Sequence, residues 1–160
     1  MIQRLNYRSL LIFFVVIALG FFVVSCGPKA VKPVSEMDTP EHHFNTGMKF
    51  LDQGKYADAK GEFDRAIALD PKYSKAYAGN GLTTAYQGDF KAANESMKQA
   101  WKFAKKDDEK IFVHVSRIRL YTLGKTEKDW IGDAKSEFDK AIDLDPKYPA
   151  AYYIMGNAYK

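Results

Sequence analysis

The sequence predicts an all-α protein that is built from a repeated pair of helices. Three observations lead to this prediction. Residues 59–77 recur at residues 134–152, with 14 of 19 positions identical. Within each copy, small and large apolar residues alternate at positions i, i+4, i+7 and i+8, which places them on one side of a helix. Asp-Pro pairs at 70–71 and 145–146 then end the helix, because the residue before a proline avoids helical backbone angles.

Composition limits the classes of protein to which the chain can belong. Its 160 residues include one cysteine, so no intramolecular disulfide can form and a disulfide-stapled miniprotein is excluded. Apolar residues make up 46% and charged residues 28%, which excludes a disordered tail and fits one globular domain. Of the 24 basic residues, Arg4 and Arg8 lie in the N-terminal segment, and the rest of the chain is nearly balanced, with 22 basic and 20 acidic residues. We therefore expect no nucleic-acid partner.

Residues 1–25 have the pattern of an export signal. Arg4 and Arg8 precede residues 10–24, which form an uncharged apolar run of 15 residues. This run is shorter than the roughly 20 residues that span a bilayer core, and it has the length of the apolar region of a signal peptide. An uncleaved transmembrane anchor is the alternative interpretation.

The residues at the end of this run, Val23-Val24-Ser25-Cys26, resemble the lipobox of bacterial lipoproteins. The resemblance implies a diacylglycerol group on the sulfur atom of Cys26, cleavage after Ser25 and acylation of the new N-terminus. Several acyl chains on one residue anchor a protein stably, since each buried methylene contributes about 0.8 kcal/mol. Gly27 stands where an aspartate is associated with inner-membrane retention, so the resemblance also implies the outer membrane, with the protein facing the periplasm.

A tether is predicted after the lipidation site. Residues 27–40 contain Pro28, Pro33 and Pro40 and show no apolar periodicity. Together with Cys26 they are expected to form an extended connection of about 40 Å, at about 3.1 Å per residue in polyproline geometry, that separates the following domain from the membrane.

Three copies of the apolar stripe follow one another within residues 41–160. They are Ala59/Phe63/Ala66/Ile67, Ala93/Met97/Ala100/Trp101 and Ala134/Phe138/Ala141/Ile142. Gly54 and Gly88 fall where the first helix of a pair turns into the second. This arrangement resembles the tetratricopeptide repeat, a 34-residue helix–turn–helix unit. The resemblance implies a right-handed solenoid of three repeats followed by the first helix of a fourth, which contains Tyr152, Met155, Gly156 and Tyr159.

The third unit is predicted to be the irregular one. The two near-identical segments are 75 residues apart, seven more than two periods of 34. We expect about two of these extra residues before the third unit and five in its turn, around residues 126–130. Arg117 stands where the family has glycine or alanine. Residues 111–121 are β-branched and could form a strand, but their apolar residues also share one helix face, and the repeat predicts a helix here.

No arrangement of residues in the sequence indicates catalysis. His42 and His43 are adjacent, so they point to different sides of a helix and cannot act together as metal ligands, and His114 has no cysteine or carboxylate at ligand spacing. The sequence contains no phosphate-binding loop, nucleophile elbow or metal motif. The only cysteine is assigned to the lipid anchor. We therefore expect a non-catalytic protein with no cofactor and no metal.

The resemblance implies a binding surface, because the first helices of successive repeats line a concave groove in this family. Carried over position by position, the groove residues are Phe44, Met48, Leu82, Tyr86, His114, Ile118, Tyr121 and Tyr153. An apolar residue at helical spacing can equally belong to the core, so both interpretations stay open for each residue. The Lys/Asn/Arg set with which some family members clamp a C-terminal carboxylate is absent, since Phe44 and Ala78 occupy its places.

The predicted function is that of an envelope adaptor that holds a partner protein through an apolar or amphipathic segment. The chain resembles lipoproteins of this family that act as pilotins or as adaptors for wall-remodelling enzymes. Two alternatives stay open. The repeats could be a spacer for a catalytic or wall-binding domain beyond Lys160, or a self-assembly module that uses the last helix.

Overall fold

The computed structural model describes residues 38–125 and 128–160, which form seven α-helices and no strand. In chain order the helices are α1 (Pro40–Asp52), α2 (Tyr56–Leu69), α3 (Ser74–Tyr86), α4 (Phe90–Phe103), α5 (Asp107–Gly124), α6 (Trp130–Leu144) and α7 (Pro149–Ala158). The predicted export signal, Cys26 and the tether up to residue 37 lie outside the described residues. Within the described ranges, no helix combines the length and the apolar character that a membrane crossing requires.

The helices are paired by short turns at the predicted positions. Three residues separate α1 from α2, and three separate α3 from α4. In these turns Gly54 and Gly88 have positive φ angles of 72° and 92°, which glycine adopts at little cost. At the start of α1, the hydroxyl oxygen of Thr39 accepts a hydrogen bond of 3.1 Å from the backbone N–H of His42. This cap satisfies one of the free donors at the helix N-terminus.

The ring of Phe63 on α2 fills the space that two glycines leave on the flanking helices. A Cβ atom built on Gly47 of α1 would lie 2.7 Å from Cε1 of Phe63, and one built on Gly79 of α3 would lie 2.5 Å from the same atom. Carbon atoms that are not bonded cannot approach so closely, and Phe63 is fully buried. The small residues Gly47 and Gly79 therefore allow three helices to pack closely around the large side chain of Phe63.

The first helices of the pairs form the inner layer of the array. Helix α1 contacts α3, α3 contacts α5, and α5 contacts α7, so the first helices of successive pairs are neighbours. The second helices, α2, α4 and α6, contact first helices and do not contact one another. The second helices therefore lie apart from one another on the outside. The side formed by α1, α3, α5 and α7 holds a recess to which all four helices contribute, and we call it the concave side.

The third pair differs in length from the prediction. Helix α5 spans 18 residues, whereas α1 and α3 span 13 each, and five residues connect α5 to α6. Most of the extra residues therefore extend a helix and do not enlarge the turn. The extension is stabilised by packing, because Ile118 is fully buried with Met155 of α7 and Tyr121 packs against the same cluster. Residues 111–121 are helical, as predicted.

Candidate functional site

The concave side of the array holds an apolar pocket of about 150 Å³, which we call the concave pocket. Its lining comes from all four first helices and from the turn before α7, and consists of Met48, Leu82, Phe112, Val115, Ser116, Arg119, Tyr148, Ala150 and Ile154. Ser116, Arg119 and Tyr148 carry its polar groups. An apolar cavity of this size holds a benzene-sized group. The pocket can therefore accept one apolar side chain of a ligand.

The geometry of α5 explains how the pocket is built. Phe112, Val115, Ser116 and Arg119 recur at intervals of three and four residues, so they lie on one face of the helix. This face points to the concave side, where Met48 of α1 is partly exposed. The pocket surface therefore consists of one face of α5 and the facing side chains of its neighbours.

Two contacts between α1 and α5 flank the concave pocket. On one flank, the rings of Phe44 and Phe112 meet edge to face, with their centroids 5.3 Å apart. On the other, the guanidinium group of Arg119 lies 3.7 Å from the carboxylate of Asp52 and 5.6 Å from the ring centroid of Tyr86. Arg119 is therefore engaged by groups of this chain, and the pocket offers mainly apolar surface.

Some of the residues predicted to line the groove are at the concave pocket. Met48 and Leu82 line it, although Leu82 is 1% exposed and contributes mostly to its floor. Tyr86 lies beside Arg119 and stacks on Tyr56, with the two rings 5.3 Å apart and nearly parallel. Phe44 is buried next to the pocket and packs against Phe63 and Phe112.

The other predicted groove residues lie elsewhere. Ile118 is fully buried between α5, α6 and α7, and Tyr121 is half-buried against the same helices. His114 is buried and pairs with Glu137 of α6, on the side away from the concave pocket. Tyr153 is 69% exposed on α7. Their contact with a partner stays a prediction.

Seven of the nine lining residues were absent from the sequence-based set, and four of these are on α5. The set used His114, Ile118 and Tyr121, whereas the pocket uses Phe112, Val115, Ser116 and Arg119. A shift of two residues turns a helix by about 200°, so it exchanges the inner face for the outer one. The spacing of residues 112, 115, 116 and 119 is itself a helical stripe, which is the signal that could have identified them.

The concave pocket has the chemistry of a binding surface. It presents apolar side chains, the hydroxyl groups of Ser116 and Tyr148, and one guanidinium group that already has partners. Among the described residues, no group of three or more His, Cys, Asp or Glu side chains could hold a metal ion.

Two curated proteins are similar to this chain over most of its length, although no family model matches the sequence. Tetratricopeptide repeat protein 6 of Homo sapiens is 29% identical over 113 residues, which are 71% of this chain and 20% of the relative. The mitochondrial import receptor subunit TOM70 of Mus musculus is 29% identical over 127 residues, which are 77% of this chain and 20% of the relative. The chain thus spans about a fifth of the length of each of these proteins.

Solved structures of helical repeat domains match the arrangement of the helices. The first TPR of Spaghetti (RPAP3), bound to the HSP90 peptide SRMEEVD, has a TM-score of 0.55 and 14% identity, and the match covers 80% of this chain and 96% of that one. The second TPR domain of human RPAP3, in complex with the HSP70 peptide SGPTIEEVD, has a TM-score of 0.52 and 21% identity, with coverage of 76% and 98%. These similarities show a shared fold and confirm the predicted all-α solenoid.

Proposed function

We propose that this chain, which shares the fold of tetratricopeptide repeat domains, is a non-catalytic adaptor of that family and binds a segment of a partner protein on the concave side of its array. The main evidence is the concave pocket, to which all four first helices contribute side chains. The peptide-bound RPAP3 domains support the proposal, because they share the fold and hold a protein segment.

The lining of the concave pocket indicates the chemistry of the partner. Burial of an apolar side chain there is favourable by roughly 25 cal/mol for each Å² removed from water. A carboxylate would gain less, because Arg119 already contacts Asp52 and Tyr86. The peptide SRMEEVD of the RPAP3 complex, by contrast, carries three acidic residues. We therefore propose an apolar or amphipathic partner segment that inserts one anchoring side chain.

We place this adaptor at a bacterial cell envelope, held at the outer membrane by acyl chains on Cys26 and facing the periplasm. The support for this part of the proposal is the sequence alone, namely the apolar run 10–24 and the lipobox-like Val23–Cys26. At this location the adaptor would serve pilus or secretion assembly, as a pilotin does, or would position a wall-remodelling enzyme.

Photocrosslinking in the source bacterium tests the adaptor proposal. The photoreactive residue p-benzoylphenylalanine is introduced into the full chain at Met48, in the concave pocket, or at Lys60, which is exposed on α2. We expect a defined protein to be crosslinked from position 48 and not from position 60, and mass spectrometry to identify it. Recovery of the same proteins from both positions, or of none from position 48, would contradict binding in the concave pocket.

A second candidate function, self-association, is favoured by the exposed surface of α7. Tyr152, Tyr153 and Tyr159 are 50%, 69% and 65% exposed. A Cβ atom built on Gly156 would have no neighbour within 4 Å, whereas one on Gly81 of α3 would meet the backbone oxygen of Ala93 at 3.1 Å. Among the described residues, none covers on α7 the surface that α4 covers on α3.

Sedimentation velocity of the full chain in a neutral detergent, over a wide concentration range, tests self-association. Self-association predicts a sedimentation coefficient that rises with concentration in the wild type and not in a Tyr153→Ser/Tyr159→Ser variant. A constant value for the wild type would exclude this second function and leave the adaptor proposal unaffected.

A further inference from the structure

A second pocket, of about 430 Å³, lies on the outer side of the array between α4, α5 and α6. We call it the outer pocket, and its lining residues are Trp101, Lys110, His114, Arg117, Lys140, Asp143 and Leu144. Because α4 and α6 do not contact each other, a part of α5 is accessible between them. The outer pocket shares no lining residue with the concave pocket.

The lining of the outer pocket includes three cationic side chains and one carboxylate. Lys110, Arg117 and Lys140 line it, against the single carboxylate of Asp143. Lys110 also forms an ion pair of 3.0 Å with Asp107, one turn earlier on α5. Lys110 and Lys140 keep 33% and 51% of their side-chain surface exposed, so both side chains are partly accessible at the rim of the pocket.

Glu137 lies buried beneath the outer pocket and is held by its cations. The carboxylate accepts a hydrogen bond of 2.6 Å from Nδ1 of His114 and one of 2.8 Å from Nζ of Lys140. Burial by itself would raise the pKa of Glu137, but these hydrogen bonds and the charge of Arg117 lower the pKa to about 2. Glu137 is therefore ionised at neutral pH, and its charge offsets part of the positive charge of the lining.

Arg117 is held less tightly than the other groups. Its Nη1 atom is 3.7 Å from the Glu137 carboxylate, which is beyond hydrogen-bond distance. The guanidinium group lies 5.6 Å from the ring centroid of Trp101, where the ring face attracts a cation. The ring of Trp101 thus orients the guanidinium group of Arg117. A contact with a ring face leaves the N–H groups of Arg117 free of a hydrogen bond to Trp101. A planar guanidinium in this state is suited to a second carboxylate.

Trp101 is not explained by the packing of the repeats. It occupies the stripe position that Ile67 has on α2 and Ile142 on α6, yet it is 42% exposed, and its ring lies 4.9 Å from the ring of His114. An isoleucine is sufficient for packing at the two corresponding positions. A large, partly exposed aromatic side chain next to cations is typical of binding surfaces.

We propose that the outer pocket binds an acidic peptide segment in which a carboxylate stands next to an apolar residue. The carboxylate contacts Arg117, together with Lys110 and Lys140 at the rim. The apolar residue packs against Trp101 and Leu144. The array would then bind protein segments of different chemistry on its two sides, apolar on the inside and acidic on the outside.

Nuclear magnetic resonance of the full chain in a neutral detergent tests this proposal. The probes are the capped peptide LDELE, its uncharged counterpart LNQLQ, and sodium acetate at the same carboxylate concentration. The readout is the indole N–H signal of Trp101, which is assigned with Trp101→Phe. We expect LDELE to shift this signal saturably below about 10 mM, and LNQLQ and acetate to bind at least about tenfold more weakly. The indole signal of Trp130, which is not part of the pocket, should not move.

Charge variants identify the residues that bind the peptide. Arg117→Gln and Lys110→Gln should each weaken LDELE binding by about fivefold or more, whereas Lys60→Gln, which removes the same charge from α2, should change it by less than about twofold. Thermal unfolding monitored by circular dichroism controls for folding. If Arg117→Gln does not fold, Lys110→Gln decides the result.

Several results would overturn the proposal. Equal shifts with LDELE and LNQLQ would show that charge has no role, and the absence of a saturable shift would show that the pocket is a packing defect between repeats. Saturation by acetate at the same affinity per carboxylate would indicate a site for small anions. An equal loss with Lys60→Gln would indicate general electrostatic attraction. Each of these results leaves the concave pocket unaffected, so its function is tested separately.

Discussion

His114 on α5 and Glu137 on α6 are joined by a hydrogen bond of 2.6 Å in which the imidazole Nδ1 donates to the carboxylate. A second pair repeats this arrangement, since Nδ1 of His43 on α1 is 2.6 Å from the carboxylate of Glu62 on α2. Glu62 and Glu137 are corresponding residues of the two near-identical segments. The same contact thus links the two helices of the first and the third repeat. In the third repeat it is buried.

The buried position of Glu137 predicts a specific cost of its loss. In Glu137→Gln, the amide cannot balance the charges of Arg117 and Lys140 and makes a weaker bond to His114. Because a buried partner is then left poorly satisfied, we expect a decrease of about 2 kcal/mol in the free energy of unfolding. Urea unfolding at neutral pH measures this decrease. Glu62→Gln is the matched control, since Glu62 keeps 28% of its side chain exposed and should lose clearly less. Equal losses would contradict the role of burial.

The low pKa of Glu137 predicts how this contribution depends on pH. The folded-state pKa is about 2, below the value of about 4.3 for an unfolded glutamate. A group with a lowered folded-state pKa stabilises the protein above its unfolded pKa, and this stability is lost as the pH falls toward the folded pKa. The difference in unfolding free energy between wild type and Glu137→Gln should therefore be constant above about pH 5.5 and shrink between about pH 5 and pH 2. Urea unfolding across this range checks it, and a constant difference down to pH 3 would contradict the lowered pKa.

The near-identical segments made much of the fold predictable. Tyr77 and Tyr152 correspond in the two segments, and the hydroxyl group of each donates a hydrogen bond to a proline carbonyl oxygen, of Pro71 at 3.2 Å and of Pro146 at 2.8 Å. Short-range signals of this kind, with the turn glycines and the Asp-Pro ends, define where helices begin and end. They are local in the chain, so the sequence alone shows them.

The candidate site was less predictable for two physical reasons. Helix α5 is five residues longer than α1, and a small error in alignment along a helix changes which face is inside. The partner of His114 is 23 residues away on another helix, a separation that follows no fixed spacing. The sequence therefore places His114 in the groove, whereas its imidazole is buried against Glu137.

A glycine-to-alanine substitution is predicted to have opposite effects at Gly79, which contacts Phe63, and at Gly61, which does not. Gly79→Ala would place a Cβ atom 2.5 Å from Cε1 of Phe63, so overpacking should destabilise the fold by about 1–3 kcal/mol. Gly61→Ala lies on the exposed side of α2 with no atom within 4 Å, and it should stabilise the fold by up to about 1 kcal/mol through helix propensity. Thermal and urea unfolding measure both. An unchanged free energy of unfolding in Gly79→Ala would contradict the close contact between Phe63 and Gly79.

The concave pocket predicts that one added charge abolishes partner binding. Met48→Glu places a carboxylate on the apolar lining, where a partner would have to desolvate it. We expect the protein crosslinked from Tyr148, also in the pocket lining, to be lost with Met48→Glu. The matched control is Asn45→Glu, which adds the same charge to an exposed position of α1 and should retain crosslinking. Equal crosslinking by the two variants would place the partner elsewhere.

Lipidation of Cys26 predicts a defined mature protein. If the lipobox-like residues are processed, the chain purified from the source bacterium begins at Cys26, its N-terminal peptide carries the mass of the acyl groups, and it incorporates labelled palmitate. Intact-mass spectrometry and metabolic labelling measure these properties. Cys26→Ser removes the thiol that forms the thioether, so it should abolish the label and leave residues 1–25 attached. A wild-type protein that keeps residues 1–25 and carries no label would instead support the uncleaved transmembrane anchor.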